Sequence, residues 1–523
     1  VVLSDTSVVR DLTAAANASI GIASGKSLTV SGTLSTAAGA KLTGGELILA
    51  GTGTFAENAV QVGTLTVQNG AKATFAGNNS VTNLAMNGTA AAVVNGGTTL
   101  TLAQDAVGAV QSVFTGSGTL ALNKSGLKMN ALLSDLGGLS VLQSAELNNA
   151  AQVGTVFVAK GAGLVQNADM TVGTVNFAEN SGSTLTVNKT LNVTRNIAAA
   201  SNTLNGTGTL ILAGGANGAF ATGVSFKDGR LIVGSGTASF TGNTTMGSIG
   251  FSGDGGRLNI ESGNTLTLAK IATKASNTVT GEGTLRLSGT GSTFNAPIAS
   301  LGEINIADGS ASFNKNANVG KLSFNGGSAT VGSGAVLSIS DLEQSGRTLG
   351  TVSGDGVLKI NSGELSTGGK RIGAVYVGSG TVSVADNSAA GALRFESENG
   401  TLNVEAGKTM TVSNAVDILG NLTGDGTLKL ENGGVFKKEL QGFGTIATDA
   451  GTLTFNRNVA VSTIELGGGT AVFGQNATIT DAFNLDAGNA VFHGSATQIG
   501  KLTMAGAGRA TFKNNASITD GAS

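Results

Sequence analysis

Gly116-Ser117-Gly118-Thr119-Leu120-Ala121-Leu122 is one copy of a sentence that this chain repeats. Further copies run from Gly206 to Leu212, Gly281 to Leu287 and Gly424 to Leu430, with Gly354 to Ile360 a close variant. Self-similarity of this kind signals a repeat architecture before any site is sought. The intervals between the starting glycines Gly116, Gly206, Gly281, Gly354 and Gly424 are unequal, the first being the longest. Such spacing is too uneven for the equal blades of a propeller, and it suits a solenoid whose layers tolerate insertions in their loops.

Two shorter phrases fill the intervals. Strands of the form Thr-Leu-Thr-Val recur at Thr99 to Leu102, Thr184 to Val187, Thr265 to Leu268 and Thr409 to Val412. Their strict alternation of apolar and hydroxyl residues is the period-two signature of a strand with one buried face, and β-branched residues favour that pleated surface. A third phrase, Phe-x-x-Asn, occurs at Phe75 to Asn78, Phe240 to Asn243, Phe313 to Asn316, Phe455 to Asn458, Phe473 to Asn476 and Phe512 to Asn515. Near the end of the chain, Phe455, Phe473, Phe492 and Phe512 follow one another at a nearly constant interval. That interval is one coil: about 19 residues hold three strands of ~5 residues with short turns. The fold class expected is therefore all-β, a parallel β-helix (β-solenoid) of about 19 residues per rung and roughly 27 rungs, running as one continuous body over 1–523.

Within a rung, Leu120 and Leu122 are expected to point inward onto like residues of the rungs above and below. Asn-Gly pairs at Asn87-Gly88, Asn205-Gly206, Asn325-Gly326 and Asn432-Gly433 supply positive φ for sharp corners. The asparagine of Phe-x-x-Asn is expected at a corner, hydrogen-bonding along the stack. One stretch breaks the rhythm. Leu127 to Leu136 reads as a short helix or a lateral excursion, so an insertion is expected around 123–152, lengthening the first interval.

Composition narrows the function. The 523 residues include 83 glycines, one proline, Pro297, and no cysteine, so disulfides, thiol catalysis and zinc ribbons are excluded. Net charge is −2 and no basic run exceeds pairs such as Lys437-Lys438, which speaks against nucleic acid as a partner. No apolar stretch reaches the ~18 residues of a spanning helix. The first residues, Val1 to Asp5, lack a basic head and an apolar run, as expected if an export signal has been removed or was never part of this sequence. Ala510 to Ser523 is still in the repeat idiom, so more chain or another molecule is expected to follow.

No motif assembles a set of reactive groups. A nucleophilic triad needs histidine, and the single one, His493, falls at a corner where sister copies carry Ala76, Thr241 or Lys513. The acidic turns around Asp254, Glu282, Asp355 and Asp425 resemble calcium-binding turns, but two copies carry Ser117 and Thr207 instead. One carboxylate per turn does not provide the six or more oxygens calcium takes. Gly25-Lys26-Ser27 and Gly407-Lys408-Thr409 match the end of a P-loop but lead into strands. With no Trp and only Tyr376, an aromatic sugar platform is not expected. The reading is no catalytic, metal or cofactor-binding residue, no cofactor, and no enzyme; a polysaccharide-processing β-helix or tail-spike would need a charged cluster on one flank.

The Thr-Leu-Thr-Val strands, the Ala-Thr-Phe-x-x-Asn phrases at Ala73 to Asn78 and Ala510 to Asn515, and the Val-Gly-x-Leu steps resemble the passenger regions of bacterial autotransporter surface proteins, above all the outer-membrane-protein-B-like antigens of rickettsiae. The resemblance covers nearly the whole chain. It implies an exported passenger at the bacterial cell surface, extracellular, acting as adhesin or protective coat. Its partners would be a host-cell or cell-surface ligand, and its contact with the membrane would run only through a C-terminal barrel outside these residues. The alternative is a filament or surface-layer subunit whose partner is another copy of itself, joined end to end or side by side.

Overall fold

The computed structural model describes residues 1–178, 182–199, 203–346 and 348–521. They form strands and turns only, and every strand pairing is parallel, each residue meeting its counterpart one coil earlier or later in the chain. The chain is a β-solenoid. It divides into two compact units, Val1–Leu266 and Thr267–Ser523, each built of three-sided coils.

In the first unit the chain visits three faces in turn, here A, B and C. Face A stacks Leu100, Leu120, Leu139, Val156 and Val175 in successive coils. Face B stacks Leu127, Ala145, Leu164, Leu185 and Leu204, and face C stacks Leu133, Ala151, Met170, Leu191, Leu210 and Leu231. All are buried, as the alternation of Thr with Leu or Val requires. No coil covers its own apolar edge, so burial is shared between neighbours.

The second unit repeats the plan with faces D, E and F. Face D stacks Val279, Ile298, Ala317, Leu337, Leu358, Val375 and Leu393. Face E stacks Leu285, Ile304, Leu322 and Leu342, then Val382, Leu402 and Leu422. Face F carries Ala311, Ala329 and Val352 and, further on, Met410, Leu428, Ile446, Ile464, Phe483 and Leu502. On face D the rings of Phe436, Phe455, Phe473, Phe492 and Phe512 form an aromatic column, with centroids 4.6, 4.9, 4.3 and 4.9 Å apart.

Two expectations fail in the stretch 123–152. Leu127–Met129 and Leu132–Val141 are strands, not a helix, and both lie in the ladders of faces B, C and A. There is no lateral excursion, because Leu127, Met129, Leu133, Leu136 and Leu139 all take inward places in the stack. Their i, i+3 spacing, which looks helical, arises where a strand turns a corner at Asp135, φ 52°, and the inward parity resets.

The uneven motif spacing has a different origin from loop insertion. In most coils one corner is turned tightly, so that a single strand runs over two faces. In the first unit that corner joins A to B in Lys41–Leu49 and Val60–Val67. From Gly116 onward it joins C to A, in Val113–Leu122, Leu132–Val141, Ala151–Val158 and Met170–Phe177. From Gly206 onward it joins B to C, in Ser225–Val233 and Thr244–Phe251. The second unit behaves alike. The tight corner joins D to E from Gly281, F to D from Gly354, and E to F from Gly424. Within each unit, the copies at Gly116 and Gly206 and those at Gly354 and Gly424 therefore each mark a step of the tight corner back by one face of three. Gly116 to Gly206 is four and two-thirds coils, whereas Gly281 to Gly354 and Gly354 to Gly424 are three and two-thirds each, so the first interval is longer by one whole coil.

The glycines follow from where the step lands. Beneath Gly116, Gly206, Gly354 and Gly424 the previous coil ends a strand on valine and makes a wide turn, so a tight bend must cross that valine's carbonyl. Gly116 has φ 107° and a Cβ there would lie 2.3 Å from Val94 O; Gly354 has φ 114° and its Cβ would lie 2.3 Å from Val331 O. The second glycine is equally confined, a Cβ on Gly118 falling 2.2 Å from Asn95 O. Side chains close the gaps that the wide turns leave in the ladder. Asn78, Asn243 and Asn316 of the Phe-x-x-Asn phrase accept from the backbone N–H of Thr99, Thr265 and Val336 in the next coil, at 2.7, 2.8 and 3.0 Å. A separate ladder of amides links Asn188, Asn167, Asn148 and Asn130 through bonds of 2.9, 3.0 and 3.0 Å.

Gly354→Val is expected to lower stability by about 3 kcal/mol or more, from left-handed strain and backbone overlap. Gly97→Ala, with φ 76° and nothing within 4 Å of its Cβ, should cost only ~1 kcal/mol; urea melts of the two variants check the difference. Phe473→Ala, which removes a ring stacked on both sides, is expected to cost about 4 kcal/mol, against roughly 1 for Phe473→Leu.

Candidate functional site

With the aliphatic residues turned inward, what the molecule offers a partner is the outward half of each strand. On face F, Ser310 and Ser312 pair with Ser328 and Thr330, and these with Thr351 and Ser353, a patch of hydroxyls at strand spacing. On face C, Thr33 and Ser35 pair with Thr52 and Thr54 in the same way. These positions alternate with buried ones in sequence, so the stacked strands force them into rows.

Face E carries a charged network. Ser323 Oγ donates to Glu303 Oε1 at 2.5 Å, Asn305 Nδ2 donates to Ser323 Oγ at 2.7 Å, and Lys321 pairs with Glu343. The hydrogen bond to Glu343 holds the Lys321 ammonium above its ordinary 10.5; partial desolvation opposes this and the charges of Glu303 and Asp341 add to it. On face F the Lys429 ammonium, 2.8 Å from Asp449, is raised for the same reason. Both lysines are exposed enough that such pairs order the surface more than they stabilise the fold.

Face D holds the single tyrosine. Tyr376 sits between two cations supplied by the coils on either side, with Lys359 Nζ 5.7 Å and Arg394 Cζ 5.4 Å from its ring centroid. Lys359 is bound across the ring to Glu396 at 2.5 Å, whereas no ion pair among the described residues engages Arg394. Beyond Arg394 the ladder of face D is interrupted. Val416–Ile418 opens a new sheet that continues through Gly433–Phe436 and Thr452–Phe455, and it does not pair with Ser388–Phe395. A groove of about 710 Å³ lies at this break.

The other residues weighed from sequence are dispersed. His493 is an exposed corner residue, its backbone N–H bonded to Phe473 O. Ser117, Thr207, Glu282, Asp355 and Asp425, the central residues of the Gly-x-Gly turns, are exposed, and the corner steps keep successive turns coils apart. Among the described residues no three His, Cys, Asp or Glu side chains gather as a metal site would need. Lys26 lies in a strand and pairs with Asp5 at 3.0 Å; Lys408 sits in a turn leading into Thr409–Val412. No described helix is long and apolar enough to cross a membrane. The ladder break on face D went unread in the sequence; its only signal is the run of turn residues Ser413-Asn414-Ala415 where other coils carry glycine.

Comparison with protein-family models, with curated proteins and with solved structures gave no match.

Replacing Glu343 by Gln is expected to bring the Lys321 titration down toward 10.5, read by NMR of the lysine side chains. Because that pKa is raised on folding, its stabilising contribution is fully present below the ordinary lysine value and fades as pH climbs through the higher folded value. The wild-type chain should accordingly lose stability faster than the Gln variant in that alkaline window.

Proposed function

We propose that this chain is a structural and interaction protein of the bacterial exterior, a β-solenoid passenger that serves as adhesin or protective coat. The observation that carries the reading is the pairing of a core closed by coil-to-coil ladders with outward rows of Thr, Ser and Asn at successive coils. Such a body withstands the medium without disulfide staples and presents repetitive, weakly charged surface. That combination suits many shallow contacts better than one catalytic pocket. The resemblance of the Thr-Leu-Thr-Val and Phe-x-x-Asn phrases to autotransporter passengers supports the address and the role.

Antibodies raised against the purified chain should label intact, unpermeabilised cells of the organism that encodes it, and brief protease treatment of those cells should remove the label. Beads coated with the chain should adhere to cell monolayers more than albumin-coated beads. Labelling only after permeabilisation would exclude the surface role.

A further inference from the structure

The groove on face D lies at one of the places where a ladder stops, and it has Arg394, stacked on Tyr376, at its edge. Most consecutive strands of a face pair with one another, although ladders also stop between Leu84–Met86 and Ala106–Val107 and between Thr203–Asn205 and Ser225–Val233. Here Ser388–Phe395 and Val416–Ile418 remain neighbours without pairing, and the chain crosses between coils through Ser413 N to Ala390 O at 3.0 Å and Asn414 N to Gly391 O at 2.8 Å. The break coincides with the loss of the tight corner. In Ser388–Phe395 one strand turns from F to D over Gly391, whereas in the next coil Thr409–Val412 and Val416–Ile418 are separate strands joined by 413–415. The wider turn sets the face D strand back, and the hollow opens above it.

What lines the hollow defines its chemistry. Arg394 stands at the rim, its guanidinium held against Tyr376 and the only lysine or arginine among the lining residues. Lys359 next to it is neutralised by Glu396, and Lys437 by Asp417 at 2.6 Å. Asn432 commits its side-chain N–H to Ser413 O, which turns Oδ1 toward acceptor duty, while Asn414 and Asp417 are exposed beside it. Ala415, Leu419 and Val435 supply an apolar floor. One anchored guanidinium, several neutral or acceptor groups and a small apolar surface are what a sugar acid needs. The planar fork takes a carboxylate through two parallel bonds, the amides and Asp417 take hydroxyls, and the floor takes the ring's C–H face. The strands stay in contact across the break, which leaves no width for an added peptide strand.

We propose that this groove binds a carboxylate-bearing saccharide, with Arg394 as the residue that engages the carboxylate and Tyr376 as the positioning residue that orients the guanidinium. The proposal deepens the adhesin reading by naming a ligand class, and it rests only on the interaction-surface part of that reading. Purified full chain titrated with 3′-sialyllactose by NMR or calorimetry should bind, and lactose, which lacks the carboxylate, should bind at least about tenfold more weakly. Arg394→Ala should remove about tenfold or more of the affinity and Arg394→Lys an intermediate amount, since an ammonium keeps the charge but not the fork. Tyr376→Ala should weaken binding while preserving the preference for sialyllactose over lactose. Arg195→Ala, in the other unit, should change nothing, and circular dichroism should show all variants folded. Absence of binding up to about 10 mM would overturn the proposal. So would equal binding of lactose, insensitivity to Arg394→Ala, or a sulfated disaccharide or acidic peptide preferred over sialyllactose. Because the titration uses purified chain, its failure leaves the cell-surface labelling result standing, and failed labelling leaves the titration standing.

Discussion

The constraint on which this structure depends is the backbone carbonyl of one coil lying directly under the corner of the next. Parallel stacking sets the coils one strand spacing apart, ~4.8 Å, so a corner that tightens has no room for a side chain beneath it. At Gly116 the obstructing atom is Val94 O, at Gly206 it is Val187 O, and at Gly424 it is Val404 O. The chain answers each time with the same two glycines. The recurring motif is thus the imprint of a steric event between coils, and its Thr-Leu-x-Leu tail is simply the strand that follows.

This event also organises the surface. Wherever the tight corner departs, the coil must widen, and the widened turn leaves backbone donors without their ladder partners. Some are closed by side chains, as Asn78 and Asn316 close theirs. On face D the ladder itself stops after Ser388–Phe395, and a groove lies there beside an arginine held on the one tyrosine. Packing in the core and shape on the outside are therefore two consequences of the same migrating corner, although the core's Leu and Val columns pass through each step without interruption of burial.

Much of the fold was legible from particular residues. Thr99 to Leu102 declared a half-buried strand, and the regular march of Phe455, Phe473, Phe492 and Phe512 declared the coil length, because stacked rings must recur once per turn. Asn78 was legible as a bond along the stack. Leu127 to Leu136 misled because a strand bent at Asp135 resets which side faces inward, and this mimics helical spacing. The groove was not legible. Arg394 and Tyr376 lie a full coil apart along the chain, and only coil stacking makes them neighbours.

By itself the sequence determined the class of fold, since period-two alternation, glycine punctuation and a recurrence at coil length permit few other ways to bury so many small aliphatic side chains. It also determined that no thiol and no metal-binding cysteine takes part. Only the tertiary structure decided which corner of each coil is tight, where that corner moves, and which outward residues meet. Those features are set by contacts between residues in neighbouring coils, whose register depends on the length of every intervening turn, and lengthening any turn by a single residue would bring different side chains together.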